Sequence, residues 1–129
     1  MIVLDSSAAV DFLLARPAGE WVGRLLSEVD RVHAPHLLDV EVLGGLRKQV
    51  RIGELSPRRA GEALSDFRQM RVKRYPHLPF LEEIWELRHN ITASDAAFVT
   101  LAEALRFPLV TTDFGLAGAP GLRIPVLTP

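Results

Sequence analysis

Met1-Ile2-Val3-Leu4-Asp5-Ser6-Ser7 is the stretch from which the fold is read. Three large apolar residues in succession suit a short strand buried on both faces, as the centre of a parallel sheet requires. Ser6 and Ser7 are good helix N-caps, and Ala8-Ala9-Val10 opens a helical pattern behind them. The segment therefore predicts strand, sharp turn and helix, with Asp5 at the strand's carboxyl end. In open α/β sheets, ligands bind at that edge.

Outward from this unit, helices alternate with short strands. Helices are expected over 8–15, 18–29, 36–51 and 57–70, the last behind an N-cap at Ser56 with Pro57 at the first helical position. Two more are expected over 79–89 and from the Thr92 cap to Arg106. Strands are expected at 31–34, 72–75, 109–112 and 124–127. Strands separated by helices predict an α/β protein with a parallel sheet covered on both sides. The length of 129 residues and the absence of any repeat or linker predict one domain.

Leu109-Val110-Thr111-Thr112-Asp113 repeats the opening design of apolar strand, hydroxyls and aspartate. Two parallel strands ending this way can present Asp5 and Asp113 at one edge, since neighbouring strands lie about 4.8 Å apart. Each aspartate can equally be read as a cap for the turn or helix that follows it. Glu41 sits in a helical stretch that is otherwise mostly apolar, with Gly44 and Gly45 on its own face. Each glycine costs a helix roughly 1 kcal/mol relative to alanine, which is easier to understand if something approaches that face closely. Asp95 shares a face with Phe98, Val99 and Ala102, so it points towards the apolar side. It also stands three residues after Thr92, as in a capping box.

Four carboxylates gathered in one place need compensation, because like charges raise one another's pKa and buried ions cost several kcal/mol each. An all-oxygen set with no thiolate suits Mg²⁺ or Mn²⁺. The chain has no cysteine, which removes disulfides, thiolate zinc sites and cysteine nucleophiles together. Its four histidines form no H-E-x-x-H pattern, and there is neither a G-x-S-x-G elbow nor a Walker-type loop. No apolar run is long enough for a membrane span, and the start lacks the basic region of a secretory signal, so a cytoplasmic protein is expected.

The net charge of −1 hides an asymmetry: nine cations and three acids fall between Arg47 and Arg74. A basic segment on an otherwise acidic domain suits a polyanion held beside an acidic site. A solvated helix pair with arginine-rich outer faces is the competing account. Arg47, Lys48, Arg51 and Arg88 are the candidate phosphate-binding residues.

These features together resemble the PIN-domain ribonucleases, in particular VapC-type toxins of type II toxin–antitoxin pairs. The resemblance rests on Ile2-Val3-Leu4-Asp5-Ser6-Ser7, on Glu41 in the helix after Pro35, and on Leu87 to Ala96 running into Val99-x-Leu101-Ala102-Glu103. It closes with Leu109 to Asp113, and so spans nearly the whole chain. It implies a three-layer α/β/α fold with about five parallel strands and an acidic pocket of Asp5, Glu41, Asp95 and Asp113. It further implies Mg²⁺- or Mn²⁺-dependent RNA cleavage, a homodimer, and inhibition by an antitoxin whose tail enters the site. The chain has Ser94 where relatives often carry an aromatic residue, and Phe98 where they often carry tyrosine. Ser6 and Thr112 are expected to orient carboxylates or water, although plain capping would also account for them. The alternatives are a catalytically degenerate binding module and another Mg²⁺-using phosphate-handling α/β protein. An aspartate-nucleophile phosphatase would want an aspartate where Ser7 stands, and a receiver domain a lysine ending a late strand.

Overall fold

A computed structural model describes residues 1–129. The elements run β1 (Ile2–Leu4), α1 (Ser6–Leu13), α2 (Pro17–Glu28), β2 (Val32–Pro35), α3 (Leu37–Arg51), α4 (Pro57–Gln69) and β3 (Val72–Tyr75). After a 3₁₀ turn at Leu78–Phe80 come α5 (Leu81–Glu86), α6 (Ala93–Leu105), β4 (Leu109–Val110), α7 (Phe114–Ala117) and β5 (Val126–Leu127). All five strands are parallel in the order β3-β2-β1-β4-β5, so β1 is central. Its Val3 and Leu4 are fully buried, as a strand covered on both faces demands. Helices α1 to α4 pack on one another, while α6 lies against β1, β2 and β4 with α5 beside it. This is the three-layer α/β/α arrangement.

The local chemistry explains most boundaries. Ser56 caps α4 by accepting from the Arg59 amide at 3.1 Å, with Pro57 at the first position. Thr92 caps α6 through the Asp95 amide at 3.2 Å. Residues Ala96 to Ala102 of α6 are all buried, Phe98 completely, so this helix is core on every side.

Three expectations need correction. Helix α1 starts at Ser6, and the N-cap position belongs to Asp5, whose side chain makes no cap bond. The helix expected over 79–89 is only six residues of α5 behind the 3₁₀ turn. The residues after Asp113, where no helix is expected, contain the one-turn helix α7.

Candidate active site

The register sets the geometry. Leu4 pairs with Val110, so the next positions, Asp5 and Thr111, lie side by side where β1 and β4 leave the sheet. Asp5 is 3 % exposed, and its Oδ2 accepts two hydroxyl bonds of 2.7 Å, from Thr111 and Ser7. The buried Thr111 Oγ1 also accepts from the Asp113 amide at 3.0 Å, tying the two acid-bearing turns together. Asp113 Oδ1 then accepts from the Gly115 and Leu116 amides and caps α7. The capping account of Asp113 is therefore realised, but it occupies one oxygen only. Asp5 likewise spends Oδ2 on protein donors and keeps Oδ1 clear of them.

Glu41, on α3, and Asp95, in the first turn of α6, close the group. Burial raises the Glu41 carboxyl above its ordinary value, and the charges of Asp5 and Asp95 raise it further. Asp95 is raised by burial and by Asp5, opposed by the Thr92 hydroxyl bond and raised again by Asp113. Asp5 thus acts on both Glu41 and Asp95, and Asp113 acts on Asp95. The ion pairs of the protein lie elsewhere, at Asp11, Glu62 and Asp39, so no basic side chain neutralises the group. As the side chains stand, no three of these carboxylates reach the mutual distance of a closed cation cage. The donor set nevertheless fits a hard divalent cation that keeps several waters. It is all oxygen, uncompensated in charge, and has free oxygens on Asp5 and Asp113.

The hydroxyls are shifted by one residue from expectation. Ser7 and Thr111 serve Asp5, whereas Thr112 Oγ1 donates to Asp11 Oδ2 at 2.7 Å and Ser6 only lines the cleft. Strand alternation turns Thr111 towards Asp5 and Thr112 away. Asp11, unremarked in the sequence, accepts from Thr112 on one oxygen and from Arg16 Nη1, at 3.2 Å, on the other. With both oxygens engaged it is a brace rather than a candidate ligand. Its signal was present, since Asp11 lies four residues after Ser7 on the same helical face.

Of the four acids, Glu41 lines a cleft of about 640 Å³ that also takes in Ser7, Gly44, Arg16, Lys48 and Ser94, the neighbour of Asp95. Of the candidate phosphate-binding residues, Lys48 alone lines it. Arg47 and Arg51 flank a separate groove between α3 and α4, and Arg88 stacks over Trp85 at 4.6 Å. The rest of the basic segment is dispersed. Arg59 donates to the Leu13 carbonyl and Arg74 to Asp39, while Arg71 and Lys73 sit where β3 begins, at the other end of the sheet. The sequence run does not make one basic patch beside the acids.

Comparison with known proteins agrees with this architecture. The PIN domain family model matches residues 2–122. Ribonuclease VapC1 of Mycobacterium tuberculosis is 46% identical over 121 residues, covering 93% of this chain and 91% of the relative. Ribonuclease VapC12 of the same organism is 42% identical over 121 residues, covering 94% and 93%. Among solved structures, a Pyrobaculum aerophilum protein superposes with a TM-score of 0.68 at 22% identity, covering 90% of this chain and 76% of that one. VapBC2 of Rickettsia felis, solved bound to a DNA fragment from its promoter, superposes at 0.65 with 18% identity, covering 96% and 97%. Matched by the family model over residues 2–122 and by relatives at 46% and 42% identity over nearly the full length, the chain belongs to the PIN-domain family, on its VapC branch.

Proposed function

We propose that the protein is a Mg²⁺- or Mn²⁺-dependent endoribonuclease and the toxin of a toxin–antitoxin pair. The observation that carries this reading is the convergence of Asp5, Glu41, Asp95 and Asp113 with no cation among them. A site so charged suits metal-assisted hydrolysis and little else. Identity of 46% to a protein named a ribonuclease, across nearly the full chain, supports RNA as the substrate. The VapBC2 likeness in fold supports an antitoxin partner.

The free oxygens of Asp5 and Asp113, with Glu41 and Asp95, would hold the metal. When bound, the ion eases ionisation of the attacking water and neutralises charge on the scissile phosphate. Ser7 and Thr111 fix the Asp5 carboxylate, so its orientation is set before substrate arrives. Glu41 and Asp95, made more basic by burial and by the neighbouring acids, are in their ionised forms the groups suited to take the proton of that water. Water adds to phosphorus, the bond to one ribose oxygen breaks, and that oxygen is protonated as it leaves.

Cleavage of labelled RNA with Mg²⁺ or Mn²⁺, with and without chelator, tests the reading. Wild-type protein should cut only with metal, and Asp5→Asn should lose about 10³-fold or more, as loss of a principal charge-stabilising group does. Metal-independent cleavage, or an Asp5→Asn variant as active as wild type, would overturn it. A homodimer is part of the proposal, supported by Leu78, Leu81 and Trp85, which are left 77%, 53% and 67% exposed around α5. Sedimentation of wild type against Trp85→Glu tests that interface.

A further inference from the structure

Gly44 and Gly45 stand together in α3 but answer to different neighbours. A Cβ on Gly45 would come within 2.9 Å of Val10 Cγ2, so that glycine lets α1 and α3 pack closely. A Cβ on Gly44 would meet nothing within 4 Å. Packing therefore gives no reason for glycine at 44, although glycine weakens a helix interior. Gly44 faces the cleft, between Glu41 on one side and Lys48 on the other. Gly61 on α4 is also open, but it lines the apolar groove that contains none of the four acids.

Glu41, Gly44 and Lys48 are spaced three and four residues apart, so they form one stripe along α3. Seven residues of helix place Lys48 roughly 10 Å along the axis from Glu41. The distance exceeds what a single phosphate spans and suits a neighbouring nucleotide of a bound strand. Lys48 is exposed and has no ion-pair partner. Across the cleft Arg16 is held by Asp11 and by Gln49 Oε1, and Asp11 is fastened to Thr112 at the acid edge. A cation on a braced side chain loses little freedom on binding.

We propose that the Gly44 face is a substrate channel, with Lys48 and Arg16 binding a phosphate of the RNA strand next to the one that is cut. The bare backbone at Gly44 is the passage between the two phosphate positions. This rests on the ribonuclease reading, and binding separates the two questions. In an Asp5→Asn background, labelled single-stranded oligoribonucleotides of random sequence are titrated by fluorescence anisotropy at several salt concentrations. Lys48→Ala should lower the slope of log K against log salt by about 0.7 and weaken binding about fivefold near 0.1 M salt, the effect of one lost phosphate contact on a single strand. Arg24→Ala, an equal charge change on exposed α2 outside the cleft, should leave the slope in place. Gly44→Leu should fold with a raised melting temperature yet bind several-fold more weakly, and in the wild-type background should raise KM more than it lowers kcat. Equal slopes for Lys48→Ala and Arg24→Ala would mean a diffuse field and overturn the channel, as would a folded Gly44→Leu that binds like its parent. If Gly44→Leu does not fold, the Lys48 slope decides alone. Failure of the wild type to cleave RNA, with these binding effects intact, would instead overturn the nuclease reading.

Discussion

Thr111 makes two contacts through its hydroxyl: it donates to Asp5 and accepts from the Asp113 amide. Thr111→Val keeps the shape and removes both, leaving a buried carboxylate short of a donor. The expected cost is about 2–3 kcal/mol, read by urea denaturation, with cleavage falling as well; Thr111→Ser should restore most of both. Glu41 and Asp95 carry a second prediction. Their folded-state pKa values lie above the ordinary 4.5 and 3.8, so the native chain binds more protons than the unfolded one in that window. Without metal, stability should therefore be fully present below those values and decline as pH rises through the raised ones. Glu41→Gln should flatten the decline and raise the neutral-pH melting temperature, checked by thermal scans from acid to neutral pH. That these acids lie near one another was legible, because each has an apolar context that turns it inward or to an edge. Which hydroxyls serve them was not. Ser6 or Ser7, and Thr111 or Thr112, are alternatives of equal chemistry, and only the strand's facing and the register decide between them.

At the scale of elements, α3 shows how far periodicity reaches. Its length and its Glu41 face follow from spacing, but the two glycines look identical in a sequence and differ wholly in their surroundings. Gly45→Ala should destabilise by about 1–3 kcal/mol, because a stiff β-branched Val10 must yield. Gly44→Ala should stabilise by up to about 1 kcal/mol through helix propensity. Parallel urea curves for the two variants check the contrast. The short helices were the harder reading. In α5 no residue is buried, so no apolar stripe fixes its ends, and the 3₁₀ turn before it absorbs Pro79. One-turn α7 owes its existence to a cap from Asp113 rather than to any hydrophobic period.

Over the whole molecule, the architecture could be read from alternation of strand and helix, because each strand is short, apolar and bounded by helical signals. The charge distribution could not. Arg59, Arg71 and Arg74 are close in sequence yet end at different places, once α4 and β3 carry them past the core. The uncompensated acids predict a whole-molecule response to metal. Mg²⁺ or Mn²⁺ at about a hundred times its Kd should stabilise the fold by about 2.7 kcal/mol, a melting shift of about 10 °C for a domain of this size. Chelator should reverse the shift and Asp5→Asn should lack it. Differential scanning fluorimetry reads all three.

The central strand has one more consequence, and it concerns time. Asp5 is secured by a hydroxyl 106 positions away in the chain. Strand β1 can find β2 early during synthesis, yet its other edge stays open until β4 has been made. A ribosome-bound chain that stops short of Thr111 has its first acids but neither the brace nor the fourth carboxylate. On the proposed nuclease reading, a cell translating this protein is therefore spared a working catalytic edge until the chain is almost finished, and a fragment cut off before β4 should be harmless.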